Sequence, residues 1–203
     1  MADYRAIWAV SEAIVNLLRT TDRPPELDSD MDFKVFTTRD FASNTLTSGS
    51  GASLFPYRIY INGTNRAPPG RFEVNGEPVK HRLPVEVHFL ITVWGKEASL
   101  QNTLAGWLMR TLEDQPVLPA TVLNSVIPNV FHRDETVEIC MAELRTEDLF
   151  RIWDVLGLNI YQLSIPYLAR VIEIDSVRLR DRESGELIQD RSFEMAGLGS
   201  GTA

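Results

Sequence analysis

Apolar and polar positions along this chain fall into a few clear periods. From Tyr4 to Leu18, apolar residues recur at Ile7, Val10, Ile14 and Leu17, with Trp8, Val15 and Leu18 widening the stripe. That is the 3.6-residue period of an amphipathic helix, which the pattern places at residues 3–20. Asp22-Arg23-Pro24-Pro25 ends it, because proline lacks a backbone donor and restrains the residue before it. Residues 33–38 read as a short strand. Ser43-Asn44-Thr45-Leu46-Thr47-Ser48-Gly49-Ser50-Gly51 is small and polar, and the stretch 39–53 is expected to be an exposed, mobile loop. Phe55, Tyr57, Ile59 and Ile61 alternate with polar neighbours as one half-buried strand. Asn62-Gly63 ends that run, and Asn75-Gly76 centres a small hairpin at 71–80, since this pair supplies the positive φ of a tight turn.

The strongest strand follows at 83–94. Leu83, Val85, Val87, Phe89, Ile91 and Val93 occupy one face; Pro84, Glu86, His88, Leu90, Thr92 and Trp94 occupy the other. Leu100, Leu104, Trp107, Leu108 and Leu112 then form a helical stripe within 97–114, ending at Asp114 before Pro116. Val137, Ile139 and Met141 alternate as another strand. Thr146 is placed to cap a short helix with Glu147 and Asp148 in its first turn, an apolar face of Leu149, Phe150, Trp153 and Leu156, and a stop at Gly157. A long strand at 161–174 carries Leu163, Ile165, Tyr167, Ala169 and Val171 on one face. Residues 176–193 read as a polar hairpin turning at Ser184-Gly185, and the tail Gly197–Ala203 as disordered. The order implies an α+β domain over 1–180, a largely antiparallel or mixed sheet with helices packed on one face, and a polar extension at 181–203.

With 203 residues the chain can bury a sizeable core. Twenty Lys and Arg against 28 Asp and Glu give a net charge of −8. That balance argues against nucleic acid or an anionic membrane as main partner, because both want clustered Lys and Arg. No apolar run approaches a membrane span, and Asp3, Arg5 and Glu12 break up any signal-peptide pattern, so a soluble cytoplasmic protein is expected. A single cysteine, Cys140, excludes an internal disulfide and a multi-cysteine metal site.

The search for chemistry returns no constellation. Asp28-Ser29-Asp30-Met31-Asp32 opens like a calcium loop but has Phe33 where glycine belongs and Arg39 where the bidentate glutamate belongs. His81, His88 and His132 are scattered, and 81 and 88 fall on opposite faces of a strand; surface histidines are the better reading. Cys140 lies in a strand with Glu138 and Glu143 nearby, which raises a thiol pKa and suits a packed structural residue. Ser48-Gly49-Ser50-Gly51 lacks the Lys-Ser/Thr of a phosphate loop, and Asn62-Gly63-Thr64, although a glycosylation triplet, sits at a turn. Catalytic, cofactor-binding and metal residues are therefore assigned to none, and an enzyme is not expected. Leu90, Trp94 and Trp8 have two open readings: core beneath helices that cover both sides of part of the sheet, or association surface.

Three stretches together carry a family resemblance. They are Asp3-Tyr4-Arg5-Ala6-Ile7-Trp8-Ala9-Val10-Ser11-Glu12-Ala13; the helix 97–114 with its exit Asp114-Gln115-Pro116-Val117-Leu118-Pro119; and Leu163-Ser164-Ile165-Pro166-Tyr167 running through Val171 to Ile174-Asp175-Ser176. Over roughly residues 3–180 the chain resembles the cap, or tail-terminator, proteins of phage-tail-like contractile injection systems, formerly a domain of unknown function. The resemblance implies a phage tail-terminator-like fold and a non-catalytic role. Six copies would form a ring closing the particle end distal to the baseplate, against inner tube and contractile sheath. It implies no site residues and no cofactor. The partners it implies are other copies of the chain, sheath and inner-tube proteins, with neither nucleic acid nor membrane insertion. Some members carry a further C-terminal domain, which the short 181–203 region does not match. The alternatives are a tail-completion or adaptor module without ring formation, and an enzyme with an unfamiliar site.

Overall fold

A computed structural model describes residues 2–27, 30–43, 49–66, 82–156 and 161–175. In chain order the elements are α1 (Ala6–Thr20), β1 (Asp32–Val35), α2 (Thr38–Ser43), β2 (Gly51–Ile61), β3 (Arg82–Trp94), α3 (Ala98–Asp114), β4 (Val117–Pro119), α4 (Ala120–Leu123), β5 (Thr136–Met141), α5 (Thr146–Val155) and β6 (Ser164–Asp175). The six strands form one mixed sheet in the order β1-β2-β3-β6-β5-β4. Only β1 and β2 run parallel; every other neighbouring pair is antiparallel. The α+β class and the mixed sheet are as the periodicities predict. The expected hairpins at 71–80 and 176–193, the extension 181–203 and its tail lie outside the described residues.

The larger core is built on the odd face of β3. Val85, Val87, Phe89, Ile91 and Val93 are all buried beneath α1, α3 and α4. Helix α1 gets close to the sheet because Ala6, Ala9 and Ala13 share its inner face with Val10, Ile14 and Leu17. Each fully buried aliphatic or aromatic side chain stabilises such a layer by about 1.5–3 kcal/mol. The helix starts at Ala6 rather than residue 3, because Asp3 is taken up in a turn whose Oδ1 accepts from Arg5 N–H at 2.7 Å. At its far end Thr21 N–H donates to Leu17 O at 3.0 Å, just ahead of Pro24 and Pro25.

The opposite face departs from expectation. Helices do not cover one face alone: α2 and α5 close a second, aromatic-rich cluster of Phe36, Phe41, Leu90, Trp94, Trp153 and Leu156. Leu90 and Trp94 are therefore core, which settles the two readings left open for them, whereas Trp8 remains exposed. Trp94 Nε1 donates to Ser53 Oγ at 2.9 Å, so the indole is satisfied where it is buried. The mobile-loop reading of 39–53 is corrected at both ends. Residues Thr38–Ser43 are helical with Phe41 buried, and Gly51–Ser53 already belong to β2; 44–48 lie outside the described residues. Asp40 closes the start of α2, its Oδ2 accepting from Thr37 N–H and Oγ–H, at 2.7 and 2.6 Å.

Three smaller corrections have local causes. Helix α5 begins at Thr146, so the cap position is Arg145 and no side chain caps it. Strand β2 has an irregularity between Pro56 and Arg58, so its four apolar residues do not share a face. Strand β6 carries an extra residue between Ala169 and Ile172, opposite Val87 and Val85, which turns Ile172 inward in place of Val171. Met141, which alternates with Val137 and Ile139, lies exposed at the end of β5.

Candidate interaction surfaces

The residues considered for chemistry are not brought together. His88 sits half-buried between the rings of Tyr57 and Tyr60, with centroids at 6.0 and 5.5 Å, and burial, with Arg58 nearby, lowers its pKa. His132 is exposed and paired with Asp134 across a loop; His81 lies outside the described residues. Cys140 is half-buried in β5, with Arg170 and Glu138 both acting on it. Its thiol is pushed up first by burial, then by Glu138, with Arg170 opposing, so the thiolate a nucleophile needs is disfavoured. Of the acidic run, Asp32 pairs with Lys34 at 2.6 Å, while Asp28 and Ser29 lie outside the described residues. Among the described residues no three of His, Cys, Asp and Glu gather as a metal-binding set.

The glycine-bearing stretch has a structural purpose instead. Gly51 has φ +139°, and a Cβ there would stand 1.8 Å from Asp32 O. Only glycine lets the start of β2 lie against β1, where Asp32 N–H donates to Ser50 O at 3.0 Å. Asn62-Gly63 likewise closes the strand end: Asn62 Oδ1 accepts from Asn65 N–H at 3.0 Å, and its Nδ2 donates to Glu86 at 2.6 Å.

Two of the concave regions among the described residues flank the sheet. A cavity of about 630 Å³ runs beside β5 and β6, lined by Arg82, His132, Asp134, Glu138, Arg170 and Glu173 among others. Its two arginines are each paired with a carboxylate. Arg82 meets Glu173 at 2.6 Å, and Arg170 reaches both Glu138 oxygens, at 2.9 and 3.3 Å. That contact with Arg170 holds the Glu138 carboxyl below the ordinary range. Exposed pairs of this kind add little stability, and with Asp134 and Glu135 also on the lining the groove stays acidic. The second cavity, about 330 Å³, is apolar and lies between β2 and α5, lined by Thr38, Phe55, Tyr57, Arg151, Ile152, Val155 and Leu156.

Beside it, the outer half of β2 is bare. The irregularity at Pro56–Arg58 sends Phe55 and Tyr57 to the aromatic cluster, while Ile59 and Ile61 turn to the side of Val87 and Val85. Neither belongs to a buried cluster among the described residues, and Ile59 and Ile61 are 53% and 52% exposed. Tyr60, Leu83 and Val155 are exposed nearby on β2, β3 and α5. Alternation alone counted both isoleucines as half-buried. What was missed is that β1 stops opposite Leu54 and leaves the rest of β2 without an outer neighbour among the described residues.

The family model for the Pvc16 N-terminal domain matches residues 9–184, most of the chain. The chain belongs to the Pvc16 N-terminal domain family. Two solved structures share its fold. One is the sheath/tube terminator, in its extended state, of the extracellular contractile injection system PVC, with 18% identity and a TM-score of 0.58. The match covers 86% of this chain and 58% of that one. The other is the tube-terminating cap of the anti-feeding prophage, with 17% identity, a TM-score of 0.56, and coverage of 83% and 55%. The chain thus spans a little over half the length of each. No curated protein matches it. Among the described residues no helix is long and apolar enough to cross a membrane.

Proposed function

We propose that this Pvc16 N-terminal domain protein is a non-catalytic structural cap, a ring of six copies that closes the inner tube and contractile sheath of a phage-tail-like injection system. The observation that carries the reading is the family match over residues 9–184, and the likeness of its fold to two terminators supports it. Residues 1–180 serve as the cap domain and 181–203 as a polar extension. Its partners are other copies of the chain, sheath and inner-tube subunits, and it is made in the bacterial cytoplasm and carried by the particle. The surface suits that role: a strand edge without a described neighbour, exposed apolar side chains for contacts, and a groove whose arginines are already paired. A closed ring needs a heterologous interface whose rotation closes, and a sheet edge is one means of building it.

Micrographs of particles from a strain lacking the gene test the reading. Expected are particles of unregulated length, or tubes without a stable sheath, where wild type gives a narrow length distribution. Deletion particles with the same lengths, intact sheath and unchanged distal end would point to an adaptor instead.

A further inference from the structure

The outer part of the β2–β3 pairing carries a histidine whose neighbours leave little room for a second charge. His88 stands directly opposite Arg58 in register, and the next pairs outward are Ile59 with Val87, Tyr60 with Glu86 and Ile61 with Val85. Directly opposed residues share a face, so imidazole and guanidinium lie on the same side of the sheet. The rings of Tyr57 and Tyr60 flank the imidazole, with centroids at 6.0 and 5.5 Å. On its other flank Leu168 of β6 stands opposite, with Cys140 of β5 beyond. The half-buried imidazole thus has an arginine as one cross-strand neighbour and a leucine as the other.

Each carboxylate around His88 already accepts from another group. Glu86, two residues along β3, accepts from Asn62 Nδ2 at 2.6 Å. Asp148 of α5, whose charge acts on Tyr57, lies 3.2 Å from Arg145 and 3.6 Å from Arg151. Glu138 of β5 and Arg170 of β6 hold each other at 2.9 Å. Arg58 differs: its guanidinium lies over the Tyr60 ring at 3.7 Å, and no carboxylate pairs with it among the described residues. A proton on His88 adds a second cation opposite this one. Glu86 favours that proton, but burial first and Arg58 second disfavour it, and together they hold the imidazole below the ordinary histidine value.

We propose that His88 and Arg58 form an acid-sensitive latch: protonation of His88 loosens the pairing of residues 58–61 with β3, while the inner end of β2 stays closed. Like charges directly opposite each other weaken a strand pair. The paired state binds the proton less readily than the open one, so the latch is shut above the ordinary histidine value of 6.5 and is weakened as pH falls below it. The inner end has no such group. Residues 51–54 and the residues they oppose, Trp94, Val93, Thr92 and Ile91, carry no side chain that titrates near neutrality. The latch works within one chain and stands apart from the cap reading.

The test uses the full chain between about pH 7.5 and about pH 5.5, where histidine titrates and carboxylates stay ionised. In NMR spectra the His88 imidazole, assigned by its absence from His88→Phe, should titrate below the ordinary histidine value. Hydrogen exchange, with each rate divided by the intrinsic rate at that pH, reads the opening of the strand. Residues 58–61 should open about two- to fivefold more at the lower pH, the cost of opposed like charges, with 51–54 unchanged. Arg58→Gln should move the His88 titration upward and shrink the pH effect, and His88→Phe should abolish it. An imidazole titrating at or above the ordinary value, outer amides whose opening ignores pH, or inner amides that open alongside them overturns the proposal. So does an Arg58→Gln chain whose His88 titrates as in wild type, since burial alone would then set it. Should His88→Phe fail to fold, His88→Gln supplies the assignment and the same expectation; should Arg58→Gln fail, the wild-type titration and exchange decide.

Discussion

At one end of the β2–β3 pair, Leu54 lies opposite Ile91 and both are buried; at the other, Ile59 lies opposite Val87, and only the valine is buried. Both ends carry apolar residues on alternate positions. The difference is in what surrounds them. Near Leu54 the strand has β1 on its edge and helices above and below, whereas near Ile59 no described strand pairs with its outer side and no described buried cluster includes it. Apolar alternation states what a strand can bury, while the third layer and the edge neighbour decide what it does bury. An end that keeps its apolar residues without burying them is free to spend them on a partner.

The comparison breaks most directly at Phe89, which is fully buried in the centre of the sheet. Phe89→Ala should cost about 3–5 kcal/mol in chemical denaturation, as large-to-small changes in a packed core do. A cost below about 1 kcal/mol would mean that the inner end is no better packed than the outer one.

Gly51→Ala comes next. Its Cβ would collide with Asp32 O, so the parallel β1–β2 contact must open and the backbone keep a conformation that alanine resists. A loss of about 2 kcal/mol or more is expected. Hydrogen exchange should show the amides of β1 losing protection before those of β3.

A smaller effect separates two buried tryptophans. Trp94 donates to Ser53, while the Trp153 Nε1 is buried with no acceptor among the described residues. Trp94→Phe strands the Ser53 hydroxyl and should cost about 1–3 kcal/mol. Trp153→Phe removes an unsatisfied donor from the same aromatic cluster, so thermal melts should show a distinctly smaller loss. Equal losses would mean that ring packing, not the hydrogen bond, sets both.

Much of this architecture was legible in the chain. The period of α1, the unbroken alternation of β3 and the stripe of α3 each dictate one element, because a long repeat has one means of burying its apolar side. The misses have physical causes. Helix α2 hid in a polar stretch, although Thr37 with Asp40 three residues on, just before Phe41, is a capping signal that marks it. The irregularity at Pro56–Arg58 reverses faces without any change in composition, so Ile59 and Ile61 parted from Phe55 and Tyr57 unannounced. The exposed edge could not be read at all, since it depends on where β1 stops, and β1 pairs with β2 across an intervening helix.

The smallest expected effect on stability is the sharpest test of the comparison. Ile59 is 53% exposed on a strand whose outer side is open. Replacing it by lysine removes apolar surface that was largely in water and places the ammonium where solvent can reach it. The folded and unfolded states then lose similar hydrophobic contributions, and the change in unfolding free energy should stay within about 0.5 kcal/mol. The same substitution at Ile91, buried between β2 and β6, would leave a charge without a partner in the core and should prevent folding. Ile59→Lys should therefore keep its melting curve, whereas the same change at a residue that served the core would lose it. A destabilisation above about 2 kcal/mol, the range of buried aliphatic losses, would show that this end of β2 belongs to the core of the single chain after all.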